Sequence, residues 1–180
     1  MPELPEVETV ANDLNAQLRR KIILRVEIVG THKILKTPAA SIRKKISGKI
    51  IKNIFRRAKI VVFDLGESMM LVHLKMTGQL IYVLKKKIIA GGHPITSTGV
   101  TVPNKYTRLI FYFKNGGILY FNDLRKFGWI KLITKAEYEL LDQASGIEPL
   151  SPQFTLKQFK TSLGRRGKTS IKAALLDQKP

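Results

Sequence analysis

The chain opens Met1-Pro2-Glu3-Leu4-Pro5-Glu6, and no other run in it is so clearly equipped for covalent chemistry. Removal of Met1 would leave Pro2 as a free secondary amine. An α-amino group titrates at about 7.7 to 8.0, so a useful fraction is neutral and nucleophilic near physiological pH. When a secondary amine condenses with an aldehyde-like carbon it can form only a cationic iminium, an electron sink for elimination at the neighbouring carbon. Glu3 is adjacent and could shuttle a proton. A second reading is structural: Pro2 signals only that Met1 is removed, and Glu3, Glu6 and Glu8 complement the positive end of a helix dipole. The residue types alone leave both open.

The charge context is one-sided. The 180 residues hold 32 Lys plus Arg against 13 Asp plus Glu, a net charge of +19, which implies a polyanionic partner because Lys and Arg that neutralise phosphates release condensed counterions. Nucleic acid comes first and an anionic membrane surface second. Apolar residues make up 44%, which permits a sizeable core and excludes wholesale disorder. The length allows one domain, or one domain plus part of a second. Absence of cysteine excludes a disulfide framework, a thiol nucleophile and a thiolate metal site within these residues. His32, His73 and His93 are too scattered for a histidine-only site. No apolar stretch approaches the roughly 18 residues of a membrane span, and acids stand where a signal peptide carries bases. A cytoplasmic, soluble, monomeric protein is expected.

The elements that would position Pro2 and Glu3 follow from periodicity. Val7, Val10, Ala11, Leu14 and Leu18 recur at helical spacing, with Pro5 suited to the first turn, and predict a helix over residues 5–19. Short β-rich runs follow at 22–29, 60–65, 69–74, 79–83, 108–113, 118–121 and 129–133. The turn Asn115-Gly116-Gly117 lies between two of them, which points to antiparallel hairpins and a sandwich. Lys85-Lys86-Lys87 opens a stretch running to Asn104 that reads as an exposed loop. Thr134 and Glu137 have capping-box spacing and predict a helix over 135–144. Residues 146–152 read as a linker. Residues 151–180 carry seven bases and one acid, with helical patterns after Thr155 and Thr169.

Six ordered blocks make the chain resemble the formamidopyrimidine-DNA glycosylase family. They are Pro2-Glu3-Leu4-Pro5-Glu6-Val7-Glu8-Thr9, Arg56-Arg57-Ala58-Lys59, His73-Leu74-Lys75-Met76-Thr77-Gly78, Asn122-Asp123-Leu124-Arg125-Lys126-Phe127-Gly128, Gly146-Ile147-Glu148-Pro149-Leu150 and Lys168-Thr169-Ser170-Ile171-Lys172. Leu4 favours this branch over the endonuclease VIII branch, whose substrates are oxidised pyrimidines and where Gly is usual. The resemblance implies an α+β fold: an N-terminal helix and a two-layer antiparallel β-sandwich as catalytic domain over residues 1–146. Residues 147–180 would then be a linker and the first helices of an incomplete helix-two-turn-helix domain.

It also implies base excision repair of damaged double-stranded DNA, with oxidised purines removed and the abasic site cleaved by β,δ-elimination. Pro2 would attack C1′ of the damaged nucleotide, Glu3 would protonate the opening sugar and Lys59 would hold a phosphate or donate a proton; this chemistry needs no metal. Extruding a base leaves a costly void. Met76, Arg125 and Phe127 match the residues that fill it, although near strands a Met or Phe is more often core. For Arg56, Arg57 and Lys59 the alternative is a solvated basic strand edge. His73, in an apolar strand, reads as a hydrogen-bonded interior histidine without a catalytic role. Tyr106, where relatives often have His, could still donate to a phosphate. Arg165, Arg166, Lys168 and Lys172 would bind backbone phosphates without reading sequence.

The family continues beyond the position of Pro180 into the rest of the helical domain and a zinc finger with four cysteines, so no cofactor is expected in this chain. A fragment or a natural truncation would follow, with two functions open to it. One is a glycosylase and abasic-site lyase carried by Pro2, Glu3 and Lys59. The other is a non-catalytic DNA-binding module that keeps the basic face alone.

Overall fold

In a computed structural model, which describes residues 2–30, 32–85, 87–92, 101–152, 154–164, 167 and 169–176, the first helix starts directly after Glu3. Helix α1 (Leu4–Leu18) is capped reciprocally, with the Glu3 N–H donating to the Glu6 carboxylate at 2.8 Å and the Glu3 side chain accepting from the Glu6 backbone. Val7, Val10, Ala11, Leu14 and Leu18 are all buried, which is the predicted stripe.

Two antiparallel sheets follow, built from β1 (Ile23–Ile28), β2 (Asn53–Arg57), β3 (Ile60–Asp64), β4 (Ser68–His73), β5 (Gly78–Leu84), β6 (Lys87–Gly92), β7 (Thr107–Phe113), β8 (Ile118–Asp123) and β9 (Trp129–Thr134). One sheet has the order β1-β7-β8-β5-β6 and the other β2-β3-β4-β9. Phe63, Val72 and Leu74 from the second meet Leu80, Tyr82, Phe111 and Phe121 from the first in one apolar core. Helix α1 fills the opening between edge strands β6 and β2. On one side a Cβ at Gly91 would lie 2.3 Å from Val10 Cγ2, and on the other Ile54 N–H donates to Asn15 Oδ1 at 2.9 Å. At the opposite opening, a 3-10 turn (His32–Ile34) and helix α2 (Ala39–Ile46) insert Ile34, Ile42 and Ile46.

The expected fold class is what forms, with two corrections. Lys85 to Asn104 is not one loop, since β6 pairs with β5 from Leu84↔Lys87 to Gln79↔Gly92. The hairpin turn begins at Lys85, at φ 55°, and Gly91 lets α1 approach the sheet edge. The second correction is Arg56, which is no solvated strand edge: only 8% exposed, it donates from Nε to Glu8 on α1 and from a terminal nitrogen to Ala58 O at 3.0 Å. Helix α2 and strand β2 are additions, short elements flanked by charged residues that mask their apolar spacing.

Residues 1–138 form one compact unit and residues 139–180 another. Helix α3 (Lys135–Ala144) runs across the boundary, and its capping box is intact: Thr134 N–H donates to Glu137 Oε2 at 2.7 Å, and Glu137 N–H donates to Thr134 Oγ1 at 3.2 Å. The second unit also holds α4 (Leu156–Gly164) and α5 (Ile171–Leu176). Thr155 and Gln158 cap α4 reciprocally, and the rings of Phe154 and Phe159 meet edge to face at 5.8 Å. Leu156, Ile171 and Leu175 stay largely exposed.

Candidate active site

Strand register brings several of the quoted blocks to one end of the sandwich. Ile60 pairs with His73 and His73 with Trp129 in one sheet; Gly78 pairs with Asp123 and Asn122 with Thr107 in the other. The β2–β3 turn, the β4–β5 loop, the β8–β9 loop and the approach to β7 therefore share an end. Arg57, Lys59, Lys75, Lys105, Arg125 and Lys126 sit on these segments, so backbone connectivity alone concentrates positive charge there.

Two of these loops are fastened together by one carboxylate. Asp123 is fully buried, and its Oδ1 accepts from the Thr77 hydroxyl and, at 3.2 Å, from the Arg125 N–H, while its Oδ2 accepts from the Gly128 N–H at 2.7 Å. Thr77 Oγ1 in turn accepts from the Arg125 N–H at 3.0 Å. A buried carboxylate is costly unless its lone pairs are met, and here donors from both loops meet them. Backbone crowding reinforces the closure: a Cβ at Gly78 would fall 2.4 Å from Leu74 O, and one at Gly128 would fall 3.0 Å from His73 O. Lys75 and Lys126 adopt left-handed φ values of 51° and 58°, one at each loop.

The clamp presents a stack of three side chains to solvent. Met76 is 41% exposed and Phe127 53%, so neither is core. Arg125 joins them, its guanidinium 3.2 Å from Met76 Sδ and 4.7 Å from the centre of the Phe127 ring. An apolar, flexible tip, an aromatic plane and a fork of donors on one exposed ridge can fill a gap between bases and bond what lines it.

The N-terminus points toward the same end. Asn15 bonds Ile54 and Glu8 bonds Arg56, so α1 runs along β2 with its N-terminus toward the β2–β3 turn. From Glu8 to Glu3 the helix advances about 7.5 Å further in that direction. Pro2 is buried and Glu3 exposed. Lys59 is half-buried in the turn, after Ala58 at φ 49°. It is close enough to His73 for its charge to act there: burial chiefly, then Lys75 and Lys59, lower the His73 pKa to about 4. His73 Nδ1 accepts the Lys75 N–H at 3.0 Å, and its ring lies 5.5 Å from Trp129. It is a neutral acceptor that sets the start of the Met76 loop.

Tyr106 is held half-buried beside this end, its N–H donating to Asn104 Oδ1 at 2.9 Å and its carbonyl accepting from the Asp123 N–H at 2.9 Å. Buried Arg108 braces the same stretch, donating to Asp123 O and Lys105 O. Lys172 is exposed on α5 in the second unit. Arg166 and Lys168 lie outside the described residues, as does Arg165. The sequence marks Thr77 only as a variable neighbour of Met76 that could alter how the opposite base is judged, and Asp123 only as part of a family block; a buried acid between a strand end and a glycine was the available signal. The 180 residues contain no cysteine, so they do not suit a four-thiolate zinc site.

A helix feeding Pro2 and Glu3 toward a basic loop end that carries an exposed Met-Arg-Phe stack defines the class of protein. The model of the formamidopyrimidine-DNA glycosylase N-terminal domain matches residues 1–130, and the chain belongs to that family. It is 38% identical over 181 residues to the formamidopyrimidine-DNA glycosylase of Protochlamydia amoebophila, covering 99% of this chain and 59% of the relative. To that of Herpetosiphon aurantiacus it is 34% identical over 180 residues, covering 99% and 60%. Among solved structures, Lactococcus lactis Fpg in complex with an abasic-site-containing DNA superposes with a TM-score of 0.77 at 29% identity, covering 98% of this chain and 61% of that one. The chain thus spans about three-fifths of the length of the relatives it matches. Among the described residues, no helix is long and apolar enough to cross a membrane.

Proposed function

We propose that this chain carries the chemical half of a DNA glycosylase and abasic-site lyase that acts on oxidised purines in duplex DNA. With Met1 removed, the Pro2 nitrogen attacks C1′, the bond from C1′ to the base breaks, and the base leaves with the electron pair. Glu3 passes a proton to the ring oxygen as the sugar opens, which leaves an iminium between Pro2 and C1′. Loss of a C2′ proton then expels the 3′ phosphate, and a second elimination expels the 5′ phosphate. Lys59 holds a phosphate oxygen or supplies a proton beside the sugar. Met76, Phe127 and Arg125 fill the space the extruded base vacates, while Tyr106, Arg166, Lys168 and Lys172 bind backbone phosphates.

The observation that carries this reading is the exposed Met76–Arg125–Phe127 stack, braced by buried Asp123, at the end toward which α1 directs Pro2. A basic binding module needs no apolar wedge, and a helix start needs no reactive amine beside one. Borohydride trapping tests it, with one duplex carrying 8-oxoguanine opposite cytosine and another an abasic site, read by intact mass. A covalent adduct on a chain lacking Met1 is expected with both duplexes, and Pro2→Gly should abolish it while leaving salt-dependent binding unchanged. An adduct with the abasic duplex alone would restrict the chain to a lyase. No adduct with either would leave the binding module.

A further inference from the structure

The sandwich has a second basic surface at the end away from the candidate site. Backbone hydrogen bonds knit it from four segments distant in sequence. Arg20 N–H donates to Ile51 O at 2.7 Å, Ile51 N–H to Lys21 O at 3.0 Å, Lys114 N–H to Ile22 O at 3.0 Å and Lys52 N–H to Asp64 O at 2.8 Å. These contacts bring Arg19, Arg20, Lys21, Lys49, Lys52 and Lys114 onto one end, where, among the described residues, only Lys49 forms an ion pair, with Glu67 at 3.9 Å. The other nearby acid, Asp64, accepts the Gly66 N–H within its own turn.

Two ordinary explanations fall short of this charge. Cations after the C-terminus of α1 complement its dipole, which accounts for Arg19 and its neighbours but not for Lys52 or Lys114, which sit on strand connections. Long-range attraction of a duplex at the other end does not account for it either. β7 spans about 20 Å from Thr107 to Phe113, whereas the screening length at physiological salt is about 8 Å. Neither explanation reaches Lys52 and Lys114.

We propose that this end is a second contact surface for the phosphate backbone of a nucleic-acid duplex, so that one chain can hold two duplex segments. The chemistry is non-specific, because Lys and Arg on turns neutralise phosphates and read no bases. Exposed Leu24 and Ile50 beside the patch, at 57% and 49%, can rest against sugars. An anionic membrane would call for a broad amphipathic face with aromatic anchors, and two aliphatic side chains do not make one. The proposal rests on the DNA reading only for the identity of the first duplex.

The test immobilises a duplex containing a tetrahydrofuran abasic analogue, loads the full chain and measures capture of a labelled, undamaged second duplex across a salt series. Arg19→Gln, Lys21→Gln, Lys52→Gln and Lys114→Gln combined should reduce second-duplex capture at least tenfold, with first-duplex affinity within twofold. The log-log salt slope of the second step should become shallower by about 3.6, at about 0.9 for each lost phosphate contact. Should that variant misfold, acetylation of Lys52 and Lys114 in the unmodified chain gives the same answer, with protection expected only on adding the second duplex. A chain that binds one duplex and never a second overturns the proposal, as does unchanged capture by the variant or unprotected lysines. Capture of phosphatidylserine vesicles in place of the second duplex overturns it in favour of a membrane. A chain that binds no duplex at all overturns the DNA reading as well.

Discussion

Thr77 is the point at which the candidate site can be loosened without touching any residue proposed to meet DNA. Its hydroxyl donates to buried Asp123 and accepts the Arg125 N–H, so it joins the loop bearing Met76 to the loop bearing Arg125 and Phe127. Thr77→Val keeps the shape and removes both bonds. Loss of a hydrogen bond to a charged group costs about 1.5 to 3 kcal/mol and loss of a neutral one about 1. The Arg125 N–H keeps its longer contact to Asp123, which offsets part of the neutral term. About 2 kcal/mol of destabilisation follows, roughly 8 °C in the unfolding midpoint for a unit of this size. Because the stack is the clamp's exposed face, preference for a duplex with an abasic gap over an intact one should fall about tenfold. Thr77→Ser restores the hydroxyl and should recover both readouts, leaving only the small cost of a lost methyl. Thermal unfolding and competition binding measure the pair. Valine and serine variants that behave alike would refute the clamp, and a wild-type chain indifferent to the gap would refute the void-filling role.

Three other perturbations probe the same framework. His73 has its pKa lowered to about 4 against an ordinary 6.5, so between those values the unfolded chain binds more protons than the folded one. Stability should be full above about pH 6.5 and fall as pH drops toward 4; a histidine ring-proton titration with a midpoint near 6.5 would contradict this. Arg56→Ala strips Glu8 of its partner and opens a gap beneath α1, and a loss of about 2 to 3 kcal/mol is expected in denaturant unfolding; a change below about 0.5 kcal/mol would mean the pair is incidental. Gly78→Ala sets a methyl against Leu74 O and should cost more than about 2 kcal/mol, with soluble, wild-type-like unfolding as the contrary result.

Much of the framework was legible in local pattern. The stripe from Val7 to Leu18 demanded a helix, and Thr134 with Glu137 placed the start of α3 because a capping box is a contact three residues long. Strands with apolar runs were visible for the same reason: a two-residue period is written in consecutive positions. Strand β6 and helix α2 were not, since β6 is stabilised by pairing with β5 and by α1 lying against Gly91, contacts made across the chain.

The site divides along the same line. Sequence alone determined which groups were available: a proline that loss of Met1 would turn into an iminium-forming amine, an acid beside it, a large positive charge and no thiol. Tertiary structure decided what those groups stand next to. Arg56 and Lys59 look alike as basic residues three apart, yet the strand's alternation turns one onto Glu8 and leaves the other in a turn near His73. Met76 and Phe127 would be core in most strands, but the buried Asp123 carboxylate draws two loops together and leaves both side chains outside, against Arg125. Which side chain faces solvent is set by the packing of segments nearly fifty residues apart, and no local window of sequence contains that distance.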